Sequence, residues 1–159
     1  MKLSLKLIGL VTLLNTPLTL AETSLADRYL DAYRDFDVQK MSEFYSDDAV
    51  FIDPTAEFWG ADGFNKQGKE TVVAGLKDFV SKFDDINLDF NVDHHYEAAG
   101  YNVYTGTAKL ELLKKGKLTT SCGRLTTIVS VKEDRVVEHR DYFDYKQSKA
   151  TRKKSDQDC

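Results

Sequence analysis

Residues 138–145 read EHRDYFDY, directly after the strand-like run Arg135-Val136-Val137. Side chains on a strand alternate between its two faces. His139, Asp141, Phe143 and Tyr145 therefore share one face, and Glu138, Arg140, Tyr142 and Asp144 share the other. Whichever face turns inward carries a carboxyl group with it. Burial of an ionised carboxyl group is costly unless it is compensated, so the stretch asks what kind of interior would accept an acid.

The residues before it have the same period of two. Ile86, Leu88, Phe90 and Val92 alternate with Asn87, Asp89, Asn91 and Asp93. Ala99-Gly100 reads as a turn, residues 101–113 as a strand, Lys114-Lys115-Gly116-Lys117 as a hairpin turn and residues 118–132 as a long strand. Glu133-Asp134 then turns the chain into the opening stretch. Further upstream the period is helical. Leu25, Tyr29, Ala32, Tyr33 and Phe36 form one stripe, and Val72, Val73, Leu76, Phe79, Val80 and Phe83 form another. Asp37 is placed to cap a short second helix ending near Phe44. Residues 49–53, AVFID, read as a strand that Pro54 stops. Residues 54–68 read as a long connection rich in glycine and aromatics. Helices followed by a run of short-turned strands predict a single α+β domain.

The ends of the chain carry different signals. Lys2 and Lys6 precede the apolar run Leu7–Leu14, and Thr19-Leu20-Ala21 closes it with small residues at the first and third places. That pattern predicts a signal peptide over residues 1–21, cleaved after Ala21, and a secreted or periplasmic protein. The run is too short for an ordinary membrane span, so no membrane partner is expected after cleavage. Residues 22–145 make the domain, and residues 146–159 a polar, basic tail. The full chain has a net charge of −4. Losing two lysines and no acid makes the mature chain more negative, which argues against a nucleic-acid partner. Cys122 and Cys159 are the two cysteines. Export permits a disulfide, and sequence alone leaves the pairing open.

No phosphate-binding glycine loop, nucleophile elbow or zinc spacing occurs. His94 and His95 are adjacent on a strand and point to opposite faces. No metal and no cofactor are expected.

The element order and several motifs together resemble the SnoaL-like group of the nuclear transport factor 2-like superfamily, over roughly residues 24–145. The resemblance implies a cone-shaped α+β fold, a curved antiparallel or mixed sheet wrapped around helices, with a deep apolar pocket. DRYLDAY (27–33) with SDDAVFIDP (46–54) looks like the start of ketosteroid isomerase. By that likeness Tyr29 would donate a hydrogen bond to a substrate oxygen and Asp53 would be the proton-shuttling base. The isomerase's second donor, a protonated aspartate, falls here on Thr126 or Thr127. HRDYFDY (139–145) looks like the last strand of limonene epoxide hydrolase, which assigns a catalytic aspartate to Asp141 and puts His139 in place of an aromatic residue. The hydrolase's arginine and second aspartate are replaced by Thr105 and Thr107.

On this resemblance the inward face of the last strand is a cavity wall, with His139 and Asp141 turned into the cavity. Candidate catalytic residues are Asp53, Asp141, His139 and Tyr29, and candidate ligand-binding residues are Phe58, Trp59, Phe64 and Thr127. Each has a plainer alternative. Asp53 before Pro54 could simply turn the chain. Asp141 could hold a buried polar network. Tyr29 could be core. Phe58, Trp59 and Phe64 could be a lid or a small cluster over the third helix. The expected activity is cofactor-independent acid–base chemistry of the isomerase, cyclase or lyase type on a small apolar molecule. The alternatives are a non-catalytic binding domain and an interaction module that forms a homodimer through the convex sheet face.

Overall fold

The computed structural model describes residues 23–56 and 63–145. The signal-peptide expectation, Phe58, Trp59, the tail and Cys159 lie outside the described residues. The elements run α1 (Leu25–Arg34), α2 (Val38–Phe44), β1 (Tyr45–Asp53), β2 (Phe64–Gln67), α3 (Lys69–Val80), β3 (Asp85–Ala98), β4 (Tyr101–Lys114), β5 (Lys117–Lys132) and β6 (Arg135–Phe143).

The helices start where the sequence supplies caps. Ser24 Oγ accepts the Asp27 N–H at 3.1 Å, and Asp37 Oδ1 accepts the Lys40 N–H at 3.0 Å. In α1 the buried positions are Ala26, Tyr29, Leu30, Ala32 and Tyr33, one face of the helix. In α3 they are Val72, Leu76 and Phe79. These faces pack with Met41, Phe51, Val129 and Val136 to form the core.

The strands form one curved sheet of order β2-β1-β6-β5-β4-β3. All neighbours are antiparallel except β1 and β6, which run parallel. The β3–β4, β4–β5 and β5–β6 hairpins turn on Ala99-Gly100, Lys115-Gly116 and Glu133-Asp134, whose φ angles all lie between 51° and 82°. Left-handed pairs of this kind match the twist of a two-residue hairpin.

Two features differ from the sequence reading. β1 begins at Tyr45, four residues early, and β2 lies inside what reads as a loop. The four residues of β2, Phe64-Asn65-Lys66-Gln67, bury only Phe64, so no alternation advertises them. They form an edge strand against the end of β1.

Bulges set which side chains turn inward. Val131 pairs with Val136 and Ser130 with Glu138, leaving Val137 as an extra residue in β6. Val136 and His139 are therefore both buried, although strict alternation would separate them. A second shift lies between Val92 and His94, opposite Gly106. A Cβ at Gly106 would stand 2.0 Å from the Asn91 carbonyl oxygen, so only glycine allows this close approach.

Candidate functional site

The parallel pairing of β1 with β6 builds the site. Phe51 is opposite His139 and Ile52 opposite Arg140. One residue further along, the two strands carry Asp53 and Asp141. Both carboxyl groups are almost fully buried and line a cavity of about 70 Å³ between the sheet and the helices. Tyr33 and Phe36 of the α1 region and Leu76 and Phe79 of α3 close one side. Phe51, Phe64, Leu110, Leu125, Phe143 and Tyr145 make the rest of the wall.

Asp141 is held from three elements. Its Oδ2 accepts from Tyr33 Oη of α1 at 2.5 Å. Its Oδ1 accepts from Thr127 Oγ1 of β5 at 2.7 Å and from His139 Nε2 of β6 at 2.9 Å. Thr127 faces Asp141 directly across β5 and β6. His139 is fully buried. Its ring stacks on Phe51, with centroids 4.1 Å apart, and meets Tyr33 edge-on at 4.5 Å. Its Nδ1 lies 2.6 Å from Tyr29 Oη, which lies 2.6 Å from Tyr45 Oη. The network closes with no leftover donor when Tyr45 donates to Tyr29, Tyr29 donates to Nδ1 and Nε2 carries the ring proton. Burial pushes the Tyr29 and Tyr33 hydroxyls well above the usual phenol range, and the nearby Asp141 carboxylate adds to the rise. Tyr33 therefore stays a hydrogen-bond donor.

Asp53 is held more locally. Its Oδ1 accepts the Thr55 N–H at 2.9 Å and Thr55 Oγ1 at 2.5 Å, a turn in which the side chain bonds backbone two residues on. Its Oδ2 accepts from Tyr145 Oη at 2.9 Å. Thr55 Oγ1 also accepts the Phe143 N–H at 3.0 Å, which ties the turn to β6. Burial raises the Asp53 pKa above the usual carboxyl value, the Thr55 and Tyr145 hydrogen bonds oppose the rise, and the neighbouring Asp141 charge adds to it. A carboxyl group so placed can take up and return a proton inside an apolar cavity.

The structure divides the residues singled out in the sequence. Asp53, Asp141 and Phe64 line the cavity. Tyr29 and His139 do not; they form a fully buried layer behind Asp141. Thr127 is also fully buried and bonded to Asp141. The expectation that His139 turns into the cavity is thus corrected: of the four candidate catalytic residues, Asp53 and Asp141 are at the wall, and His139 and Tyr29 lie behind Asp141. The shift arises because Tyr33, a helical turn after Tyr29, occupies the cavity side of α1. Phe58 and Trp59 lie outside the described residues. Among those residues, no group of His, Cys, Asp or Glu is arranged to hold a metal ion.

Sequence reasoning did not single out Tyr33, Thr55 or Tyr145. A signal existed for two of them. Tyr33 is on the buried stripe of α1, four residues from Tyr29, and Tyr145 is on the Asp141 face of EHRDYFDY. Thr55 gave none.

A family model for the SnoaL-like domain matches residues 26–139. A search of curated proteins finds no match. Among solved structures, a protein of Shewanella denitrificans OS-217 provisionally described as a SnoaL-like polyketide cyclase is 26% identical, with a TM-score of 0.65. The alignment covers 79% of this chain and 91% of that one. A Catenulispora acidiphila DSM 44928 protein with a ketosteroid isomerase-like fold, solved with trimethylamine, is 13% identical with a TM-score of 0.61, covering 79% and 89%. An LEH-like epoxide hydrolase of M. tuberculosis is 14% identical with a TM-score of 0.61, covering 79% and 80%. At such identities the last two share the fold alone.

Proposed function

This chain belongs to the SnoaL-like domain family, and on that premise we propose that it is an exported acid–base enzyme acting on a small, mostly apolar molecule. The observation that carries the reading is the pair of buried carboxyl groups, Asp53 and Asp141, at one end of an apolar cavity. Asp53 is the base. Its raised pKa brings a carboxyl group nearer to the range in which general bases are effective. Asp141 is the second polar group at the reacting centre, held in place by Thr127 and His139, and Tyr33 donates to it from the cavity wall. The 26% identity to a protein described as a cyclase supports an isomerase- or cyclase-type proton transfer. Ligand sites for drug-sized molecules usually measure about 300–1,000 Å³. A cavity of about 70 Å³ restricts the ligand to a few heavy atoms or to one group of a larger molecule.

Proton exchange tests the reading without knowledge of the natural substrate. Cyclopentanone in D₂O exchanges its α-protons slowly, and the rate is read by proton NMR. The purified protein should accelerate the exchange, and Asp53→Asn should lose about 10²–10⁴-fold of that acceleration. Equal rates for the two proteins would remove the base assignment. Export is tested separately, by N-terminal sequencing of the secreted or periplasmic fraction, which should begin at Glu22.

A second reading, a non-catalytic binding domain, is favoured by one observation. Each carboxylate oxygen of Asp53 and Asp141 already accepts a hydrogen bond from the protein. In that case a ligand is retained and no exchange is accelerated, by wild type or by Asp53→Asn.

A further inference from the structure

The cavity is unequal around its circumference. One end presents the carboxyl groups of Asp53 and Asp141, and much of the remaining wall is aromatic, from Phe36, Phe51, Phe64, Phe79 and Phe143. Among the described residues no Lys or Arg side chain lines it. Arg140, next to Asp141 in β6, is on the opposite face and pairs with Glu138 at 3.1 Å. The groups that hold the two carboxylates are hydroxyls, one backbone N–H and one imidazole.

Given that the cavity is a ligand site, as proposed above, we infer that it selects a small organic cation: a protonated or quaternary amine whose charged nitrogen is wrapped in methyl or methylene groups. Such a ligand matches both parts of the wall. Its charge meets two neighbouring carboxylates that otherwise repel one another. Its alkyl groups replace water against the rings, and the negative faces of aromatic rings attract a cation. A neutral molecule of the same shape gains only the apolar contact. An anion would meet the carboxylates with like charge. A bare metal ion fits poorly, because hard cations need about six oxygen ligands, and the aromatic wall supplies none.

Two probes with the same number of heavy atoms separate these cases. Tetramethylammonium carries the charge, and tert-butanol does not. Each is titrated into the purified wild-type protein and followed by NMR at the ring and methyl signals of Phe51, Leu110 and Phe143. The cation should bind at least about tenfold more tightly, the margin expected from cation–π and charge attraction together. Asp53→Asn should reduce that preference several-fold, by weakening the binding of the cation. Equal affinity for both probes, or tighter binding of tert-butanol, would overturn cation selection and leave the pocket reading intact. If neither probe moves the cavity signals, both the selection and the pocket reading fail. Shifts confined to surface carboxylates would also overturn the inference.

Discussion

Asp53 and Asp141 stand side by side at one end of a cavity, yet the fold holds them in different ways. Asp53 is at the C-terminal end of β1, and two of its three donor groups come from Thr55, two residues on. Asp141 is in the body of β6, and its donors come from α1, β5 and β6. The first carboxylate depends on a turn. The second is where a helix and two strands are tied together. A group tied to little else can change its charge without disturbing the fold, whereas a group that satisfies three buried donors cannot. On the acid–base proposal this difference divides the labour, with Asp53 as the proton carrier and Asp141 as the fixed partner.

The largest expected effect is the loss of the Asp141 side chain. Asp141→Ala leaves Tyr33 Oη, Thr127 Oγ1 and His139 Nε2 without their shared acceptor in a dry interior. Each buried donor left unsatisfied costs about 1–3 kcal/mol, so three of them together make a loss of about 3–5 kcal/mol. Urea unfolding should show a loss of that order. A loss below about 1 kcal/mol would mean that water or a shifted side chain satisfies the donors, and the contrast with Asp53 would collapse.

Asp53→Ala is expected to cost less, about 1–2 kcal/mol, the penalty for a few unmade hydrogen bonds. The turn at Thr55 keeps its link to the Phe143 N–H, and Tyr145 is only half-buried. Measured alongside Asp141→Ala by the same unfolding assay, it sets the ratio between the two sites. If the two losses were equal, Asp53 would be as structural as Asp141.

Much of this arrangement can be read from the sequence, for particular reasons. The period of two from Ile86 onward and the turn residues Ala99-Gly100, Lys115-Gly116 and Glu133-Asp134 announce the three hairpins, because the turns are local. The Asp141 face of β6 is legible because alternation holds from Glu138 to Phe143. The bulge at Val137 is not, since it depends on how β5 and β6 pair. β2 escapes because a four-residue edge strand needs no apolar pattern of its own. At the site, Asp53 and Asp141 stand out as acids in apolar surroundings. The position of Tyr29 behind the cavity, with Tyr33 at its wall, depends on how α1 is rotated against the sheet, which helical periodicity alone does not fix.

A subtler variant sharpens the comparison at Asp53. Tyr145→Phe removes the hydroxyl that donates to Asp53 Oδ2 and keeps the ring that packs on Phe143 at 4.7 Å. That hydrogen bond favours the charged carboxylate, so its loss should raise the Asp53 pKa further. Carbon-detected NMR titration of the Asp53 carboxyl should show the upward movement. The stability cost should be about 1 kcal/mol, that of one hydrogen bond. A fall in the Asp53 pKa would show that Tyr145 is not its donor in solution.

The smallest effect is also the one whose sign is most specific. The folded-state pKa of Asp53 lies above its unfolded value of 3.8. The folded protein therefore holds the Asp53 proton at pH values where the unfolded chain has lost it. Stability changes with pH in proportion to the protons bound by the unfolded state minus those bound by the folded state. For Asp53 this difference is negative, so its contribution falls as pH rises from about 3.8 through the folded pKa, and then stays level. Asp53→Asn cannot ionise and escapes that loss. Its oxygen can accept from Thr55 while its amide donates to a rotated Tyr145 hydroxyl, so the turn survives. The stability of the Asn variant relative to wild type should therefore improve on going from about pH 3.5 to pH 7. The gain should be no more than about 1 kcal/mol, since Asp53 keeps its hydrogen bonds in wild type. Paired urea melts at the two pH values measure it. If the Asn variant instead loses ground as pH rises, Asp53 is stabilised in its charged form, and its role is to hold the strand end rather than to carry a proton.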